Sequence, residues 1–463
     1  MSGTARSSDD QEARIQASVQ SAIAKASWRI LPLIGLGYLF SFMDRVNIGF
    51  AALQMNSDLG FSATVFGFGA GIFFLSFALF EIPSCMLMSR FGARRWLARI
   101  MITWGFCATA TMFVQTPWQF YTVRFLLGVA EAGYFPVVIY YLAFWFPKSA
   151  RGRTISYFYL FGPLASVVLG SVSGAMLSMD GTHGLHGWQW LLMLQGLPAV
   201  FIGLFIWRFL PDEPAKAEWL TAEERAGLQS ILERESAAIG PPVRQGIIAT
   251  MRDPIVIQLA LIGALLVGTG ITLSVNFPLV LQATTKLNPY QIGFVVSASG
   301  VLAIFAMVIA GRVSDRRGNR FGPAIACALG SSAGIALVAL HLSTSLTIAA
   351  WLLLSCCGWS QALLFAAIWP DLLHPARLAL GGATIDMVSQ IGAFAGPYGW
   401  GIAKDATGAF TPALWGLVLT TLATASLFAL LMHKTKAQRR ARALQIGHAN
   451  TCQSNAQAGS AQA

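Results

Sequence analysis

Asp44 and Arg45 lie in one apolar stretch, Glu81 in the next, and Arg124 and Glu131 in a fourth, all long enough to meet lipid. An ionisable group at mid-bilayer costs roughly 2.5–3.5 kcal/mol on insertion scales, so such residues persist where they face a bundle interior or a water-filled cavity. Fixed guanidiniums beside titratable carboxyls in that setting suit a site that holds an anion and exchanges a proton. Arg124 and Glu131 are seven residues apart. That is nearly two helical turns, which places them on one face, about 10 Å apart along the axis. Counting from the ends of their stretches, Glu131 falls near the midplane, and Asp44, Arg45 and Arg124 fall in the outer half. The same four could instead form internal ion pairs that lock helices together, since buried pairs often serve geometry rather than energy.

Other residues carry weaker signals. Glu81 precedes Ile82-Pro83, where it could satisfy backbone groups freed by a proline kink. Tyr38, Phe42, Phe73, Phe74, Phe77, Tyr134 and Trp369 could line a cavity for an aromatic acid, or pack as ordinary core. Cys85, Cys107, Cys327, Cys356 and Cys357 lie in apolar runs and read as small buried hydrophobes; Cys452 is in a polar tail. No cysteine or histidine spacing suggests a metal, and no cofactor is expected. His183 and His186 sit together in a connector and read as solvated. That leaves a polytopic membrane enzyme without an obvious reaction centre.

The elements that position these groups follow from composition. The 463 residues are 55% hydrophobic and only 11% charged, against about 25% charged in a soluble protein, and the mean hydropathy is +0.61. This predicts an all-α membrane protein. Twelve stretches reach the length needed to cross roughly 30 Å of hydrocarbon. The resulting organisation is a tail over 1–29, a six-helix bundle over 30–210 and a linker over 211–254. A second six-helix bundle over 255–432 and a basic, disordered tail over 433–463 follow. Within the linker, Thr221–Ser236 has helical periodicity with Thr221 and Glu224 in capping-box spacing. The net charge of +11 does not indicate nucleic acid, because Lys and Arg are scattered through short connectors. Only four of the 31, Arg45, Arg124, Lys286 and Lys404, fall outside the tails and the connectors on one side. By the positive-inside rule both termini face the cytoplasm. The first residues lack a signal peptide's apolar core, so the span from Ile30 is expected to be retained.

The halves echo each other. Ser89-Arg90-Phe91-Gly92-Ala93-Arg94-Arg95 joins the second and third spans, and Ser314-Asp315-Arg316-Arg317-Gly318-Asn319-Arg320 joins the eighth and ninth. Gly162-Pro163 recurs as Gly396-Pro397. Parallel six-helix repeats imply a midplane site and rocking of one half against the other.

Twelve spans, a central linker and paired basic loops resemble the major facilitator superfamily. The first half resembles its anion:cation symporter family through Phe42-Met43-Asp44-Arg45-Val46-Asn47-Ile48-Gly49, Phe80-Glu81-Ile82-Pro83-Ser84, Arg124 to Gly133, and Gly187-Trp188-Gln189-Trp190 with Gly196-Leu197-Pro198. Bacterial tartrate, phthalate and hydroxyphenylacetate permeases are the members it resembles most. The resemblance implies proton-linked uptake of an organic carboxylate across the bacterial inner membrane by a monomer, with H+ as the coupling ion. It makes Arg45, Arg124 and Glu131 the working residues, with anion binding at Arg45 and Arg124 and proton coupling at Glu131; from the charges alone, Asp44 or Asp386 could supply a second titratable site. Glu81, Pro83, Gly92, Arg94, Asp315, Arg316 and Gly318 are expected to gate or shape the helices. The eleventh span departs from the family's Asn-x-x-Gly-Asn pattern: Asp386-Met387-Val388-Ser389-Gln390 stands there. Asp386 and Gln390 are expected to contribute to substrate binding, and the extra carboxylate changes the charge of the cavity. The loop Asp371 to Arg377, with His374-Pro375-Ala376, is also unusual for the family. An exporter or facilitator of another small molecule on the same fold is the alternative.

Overall fold

The apolar stretches fold as helices throughout, and the described residues contain no strand. The computed structural model describes residues 2–237, 247–373 and 377–460. In the first half α1 (Ser2–Leu59), α2 (Ala63–Phe91) and α3 (Ala93–Ala110) are followed by α4 (Pro117–Glu131), α5 (Tyr134–Trp145), α6 (Lys148–Tyr159), α7 (Phe161–Leu177) and α8 (Gly187–Phe209). The linker holds α9 (Ala222–Ala237) and α10 (Ile247–Met251). The second half is α11 (Pro254–Thr285), α12 (Pro289–Arg317), α13 (Phe321–Ala339), α14 (Thr344–Leu372), α15 (Leu378–Thr407) and α16 (Thr411–Ser460). Among the described residues ten segments are long and apolar enough to cross a membrane, with α4–α5 and α6–α7 each counted as one. Helices α3 and α15 pack among them.

Three features differ from the sequence reading. The fourth span is broken: α4 stops at Glu131, Ala132 is extended (ψ 130°), and Gly133 is left-handed (φ +85°) before α5 starts. A Cβ on Gly133 would fall 2.6 Å from the Ser84 hydroxyl, so close approach to α2 and backbone hand both demand glycine there. The amino-terminal tail is not separate from the first span, because α1 is continuous from Ser2. Nor does the last helix end at 432; it runs unbroken to Ser460, where a tail without regular structure was expected. The linker helix forms one residue from its expected start. Thr221 N–H donates to Glu224 Oε2 at 2.9 Å, and Glu224 N–H donates to Thr221 Oγ at 3.2 Å, the reciprocal pair of a capping box. Part of the linker, and His374-Pro375-Ala376, lie outside the described residues.

The two halves meet along α1 and α11, α2 and α15, and α7 and α12. Their tightest approaches gather at the face opposite the termini. A Cβ on Gly170 of α7 would sit 2.4 Å from the Gly293 carbonyl oxygen of α12. Ser297 donates to Val167 O at 2.7 Å and lies 3.0 Å from Ser171 Oγ. Asp405 of α15 accepts from the first backbone N–H groups of α2, Ala63 and Thr64, at 3.1 and 2.8 Å. One hydrophobic cluster joins both halves at this end, through Phe50, Met55, Phe277 and Ile292 among others. Separate clusters fill the first and second bundles nearer the termini. The halves are thus sealed at the face opposite the termini.

Candidate functional site

Ser41 and Arg45 are one turn apart on α1, so both side chains reach α4. The Arg45 Nε and Nη2 groups donate to Glu131 Oε1 at 3.0 and 2.8 Å, and Ser41 Oγ donates to the same oxygen. Glu131 is fully buried, and its Oε2 has no hydrogen-bond partner. It is the last residue of α4, where the helix dipole disfavours a carboxylate; the guanidinium offsets both that and the burial. The Arg45 side chain keeps 19% of its surface exposed and lies over the Phe77 ring at 4.9 Å.

Asp44 and Arg124 are buried in the same bundle. Asp44 accepts from Asn47 Nδ2 and Trp104 Nε1, both at 3.1 Å, and Arg124 acts on it electrostatically. Arg124 is only 1% exposed. Its Nε donates to Gly69 O at 3.4 Å, and its Nη2 has no partner. The Phe73 ring lies between the two guanidiniums, 5.8 Å from Arg45 and 5.0 Å from Arg124. Arg124 is sealed inside the first bundle, whereas Arg45 is partly open. An unpartnered buried polar group costs about 1–3 kcal/mol. The free atoms on Glu131 and Arg124 therefore mark where a ligand, a proton or a rearrangement would gain most.

Across the interface, α2, which carries Glu81, packs along α15, which carries Asp386. Arg45 acts on both carboxyl groups. Helix α2 runs through Pro83 without a break. Gln390 is buried with its Oε1 unpartnered.

A cavity of about 230 Å³ opens beside this cluster, lined by Phe42 and Val46 of α1, Ser274 of α11, and Ser355, Trp359 and Gln361 of α14 among others. The Phe42 and Trp359 rings close it across the interface at 5.1 Å. Neither Arg45 nor Arg124 is among its lining residues. Sequence reasoning missed the α14 contribution because it followed ionisable groups; the polar Ser355, Ser360 and Gln361 inside one span were the available signal. Of the aromatic candidates only Phe42 lines this cavity. Phe73, Phe74, Phe77 and Tyr134 are core, with the Tyr134 hydroxyl donating to Ile34 O at 2.8 Å. Tyr38 lies tilted against Phe158 at 4.7 Å, and Trp369 packs on Gly382.

The basic loops lie far from this centre in sequence and are built differently. Gly92 (φ +84°) and Gly318 (φ +56°) make the turns. Arg94 reaches Asp212 at 3.5 Å within its own half, and Arg320 reaches Asp371 at 2.5 Å within the other. Asp315 and Arg316 are exposed.

Residues 34–397 match the sequence family described as Major Facilitator Superfamily. The chain belongs to that superfamily. A "Putative tartrate transporter" of Agrobacterium vitis is 41% identical over 424 residues, spanning 89% of this chain and 90% of the relative. A "Quinolone resistance transporter" of Acinetobacter baumannii is 34% identical over 417 residues, spanning 88% and 96%. Among solved structures, the xylose transporter XylE of E. coli in its inward open conformation superimposes with a TM-score of 0.71 at 14% identity, covering 87% of this chain and 95% of that one. That likeness speaks to the fold. As a major facilitator, this multi-pass protein is a transporter rather than an enzyme.

Proposed function

We propose that this protein imports a small organic dicarboxylate of the tartrate class together with protons, by alternating access, across a bacterial inner membrane with both termini in the cytoplasm. The observation that carries the proposal is the Arg45–Glu131 pair: a partly open cation held by a buried carboxylate with one oxygen unpartnered. A substrate carboxylate arriving at Arg45 competes with Glu131 for the same donors. A buried carboxylate that loses its cation takes a proton rather than remain charged. Linkage makes the preference mutual, so protonation of Glu131 frees Arg45 for the anion. The sealed face opposite the termini supports an inward-facing state, from which substrate leaves to the cytoplasm. The tartrate-class substrate rests on the 41% identical relative.

Each pH unit supplies about 1.4 kcal/mol per proton, and each 100 mV about 2.3 kcal/mol per charge. A dianion entering with two protons is therefore driven by pH alone, and a third proton would add the voltage. Proteoliposomes carrying Glu131→Gln should exchange labelled tartrate down its gradient yet fail to accumulate it when a pH gradient is imposed. Accumulation equal to the unaltered protein would remove Glu131 from the coupling.

A further inference from the structure

We propose that Asp405 is the releasable latch of the outer gate: its carboxylate completes the amino-terminal cap of α2 while the halves are closed at the face opposite the termini, and lets go when that face opens. The proposal rests on the alternating access put forward above, and on neither the cargo nor the coupling ion. A helix leaves its first N–H groups without partners inside the helix. At the start of α2 its own half answers for one of them, because Ser62 Oγ accepts from Val65 N–H at 3.2 Å. The two before it are answered from the other half. Asp405 Oδ1 accepts from Ala63 N–H at 3.1 Å, and Oδ2 accepts from Thr64 N–H at 2.8 Å, across 342 and 341 positions of sequence. The cap of α2 is therefore whole only while α15 lies against it.

The place of Asp405 on its own helix points the same way. It lies in the last turn of α15, which ends at Thr407 with Gly408 as its C-cap. A helix dipole favours a cation there and disfavours a carboxylate. Neighbouring Lys404 serves that end instead, donating to Gly408 O at 2.6 Å and lying over the Phe410 ring at 4.1 Å. An acid that breaks its local rule without a local gain marks a contact made elsewhere, and at the start of α2 the dipole favours it. Next to the latch, α2 and α15 touch backbone to backbone. A Cβ on Gly67 would fall 2.2 Å from Pro397 O, one on Gly71 2.7 Å from Phe394 O, and one on Gly401 2.3 Å from Ala63 O. This packing aligns the seam; the two charge-assisted bonds at its rim hold it shut. Asp405 is exposed, so on opening its carboxylate and both N–H groups pass to water instead of staying buried and unpaired. Release therefore costs little.

Double electron–electron resonance between spin labels at Thr182 of the first half and Leu342 of the second, both exposed in outer connectors, reports the width of the outer face without cargo or a pH gradient. Asp405→Ala should raise the ratio of open to closed populations about fivefold, as expected for a lost helix cap. Ala63→Pro removes one donor yet suits the helix, since proline fits the first helical position and Ser62 before it is already extended (φ −71°, ψ 164°). It should open the outer face by itself and add nothing in the Asp405→Ala background, because both changes remove the same bond. An unchanged distribution in Asp405→Ala, or additive opening in the double variant, would overturn the latch. One outer distance that no variant moves, Gly170→Val at the α7–α12 seam included, would instead sink alternating access itself.

Discussion

Arg45 is the residue on which the account turns, because its Nε and Nη2 converge on one Glu131 oxygen and the same two donors would grip a substrate carboxylate. A lysine would offer a point charge instead of the planar fork. Each charge-assisted hydrogen bond contributes about 1.5–3 kcal/mol. Arg45→Lys should therefore weaken tartrate binding about 10- to 100-fold in a calorimetric titration, and unaltered affinity would place the anion elsewhere. At this scale much of the site was legible beforehand: an ionisable residue in an apolar run is rare enough to stand out, and Arg45, Glu131, Asp44 and Arg124 do gather in the first bundle. What could not be read was which arginine is open. Phe73 divides the two guanidiniums, and a ring's position between helices depends on packing that residue spacing does not encode. The packing of α2 against α15 brings residues 305 positions apart, Glu81 and Asp386, to one interface, and no local pattern announces it.

Among the elements, the linker helix α9 is the one whose attachment can be followed by pH. Glu224 accepts from Ser21 at 2.7 Å and from Lys25 at 2.9 Å, and Trp219 stacks on Trp145 at 5.5 Å, fastening the linker to the first bundle. The bond from Lys25 is the main reason the Glu224 carboxyl is held down to about 2 from 4.5. A depressed carboxyl stabilises the folded attachment fully above its ordinary value and loses that contribution as pH falls through the depressed one. The linker should stay docked from neutrality to about pH 4.5 and loosen progressively toward pH 2, and Glu224→Gln should loosen it at neutral pH. Limited proteolysis of the linker measures this; equal cleavage rates in the variant and the unaltered protein would contradict it. The capping box here was readable because it depends on two residues three apart. The break between α4 and α5 was not, since Gly133 is one glycine among 45, and only the neighbouring Ser84 reveals why it is needed.

Taken whole, the molecule is two bundles closed against each other at one end, and that closure rests on backbone contacts with no room for side chains. Gly170 meets the Gly293 carbonyl and the Ser297 backbone, neither of which can retreat by rotation. Overpacking of this kind costs about 1–3 kcal/mol, enough to shift a two-state balance roughly 5- to 150-fold. Gly170→Val should therefore part the halves at that face. A cysteine placed at Phe42, beside the cavity, should gain reactivity toward a membrane-impermeant maleimide added from the outside; unchanged labelling would mean the seal lies elsewhere. The two-bundle architecture was visible from span count, repeated loops and the distribution of Lys and Arg. The state of the closure was not, because glycine-to-backbone contacts between halves leave no pattern in composition or periodicity.

If an anion at Arg45 and a proton at Glu131 enter together, external pH reports it most directly. Tartrate added to lightly buffered proteoliposomes, with no gradient imposed, should make the medium more alkaline as protons are drawn in. The change should be absent in both Arg45→Ala and Glu131→Gln. Tartrate entering the vesicles with no change in external pH would contradict the account.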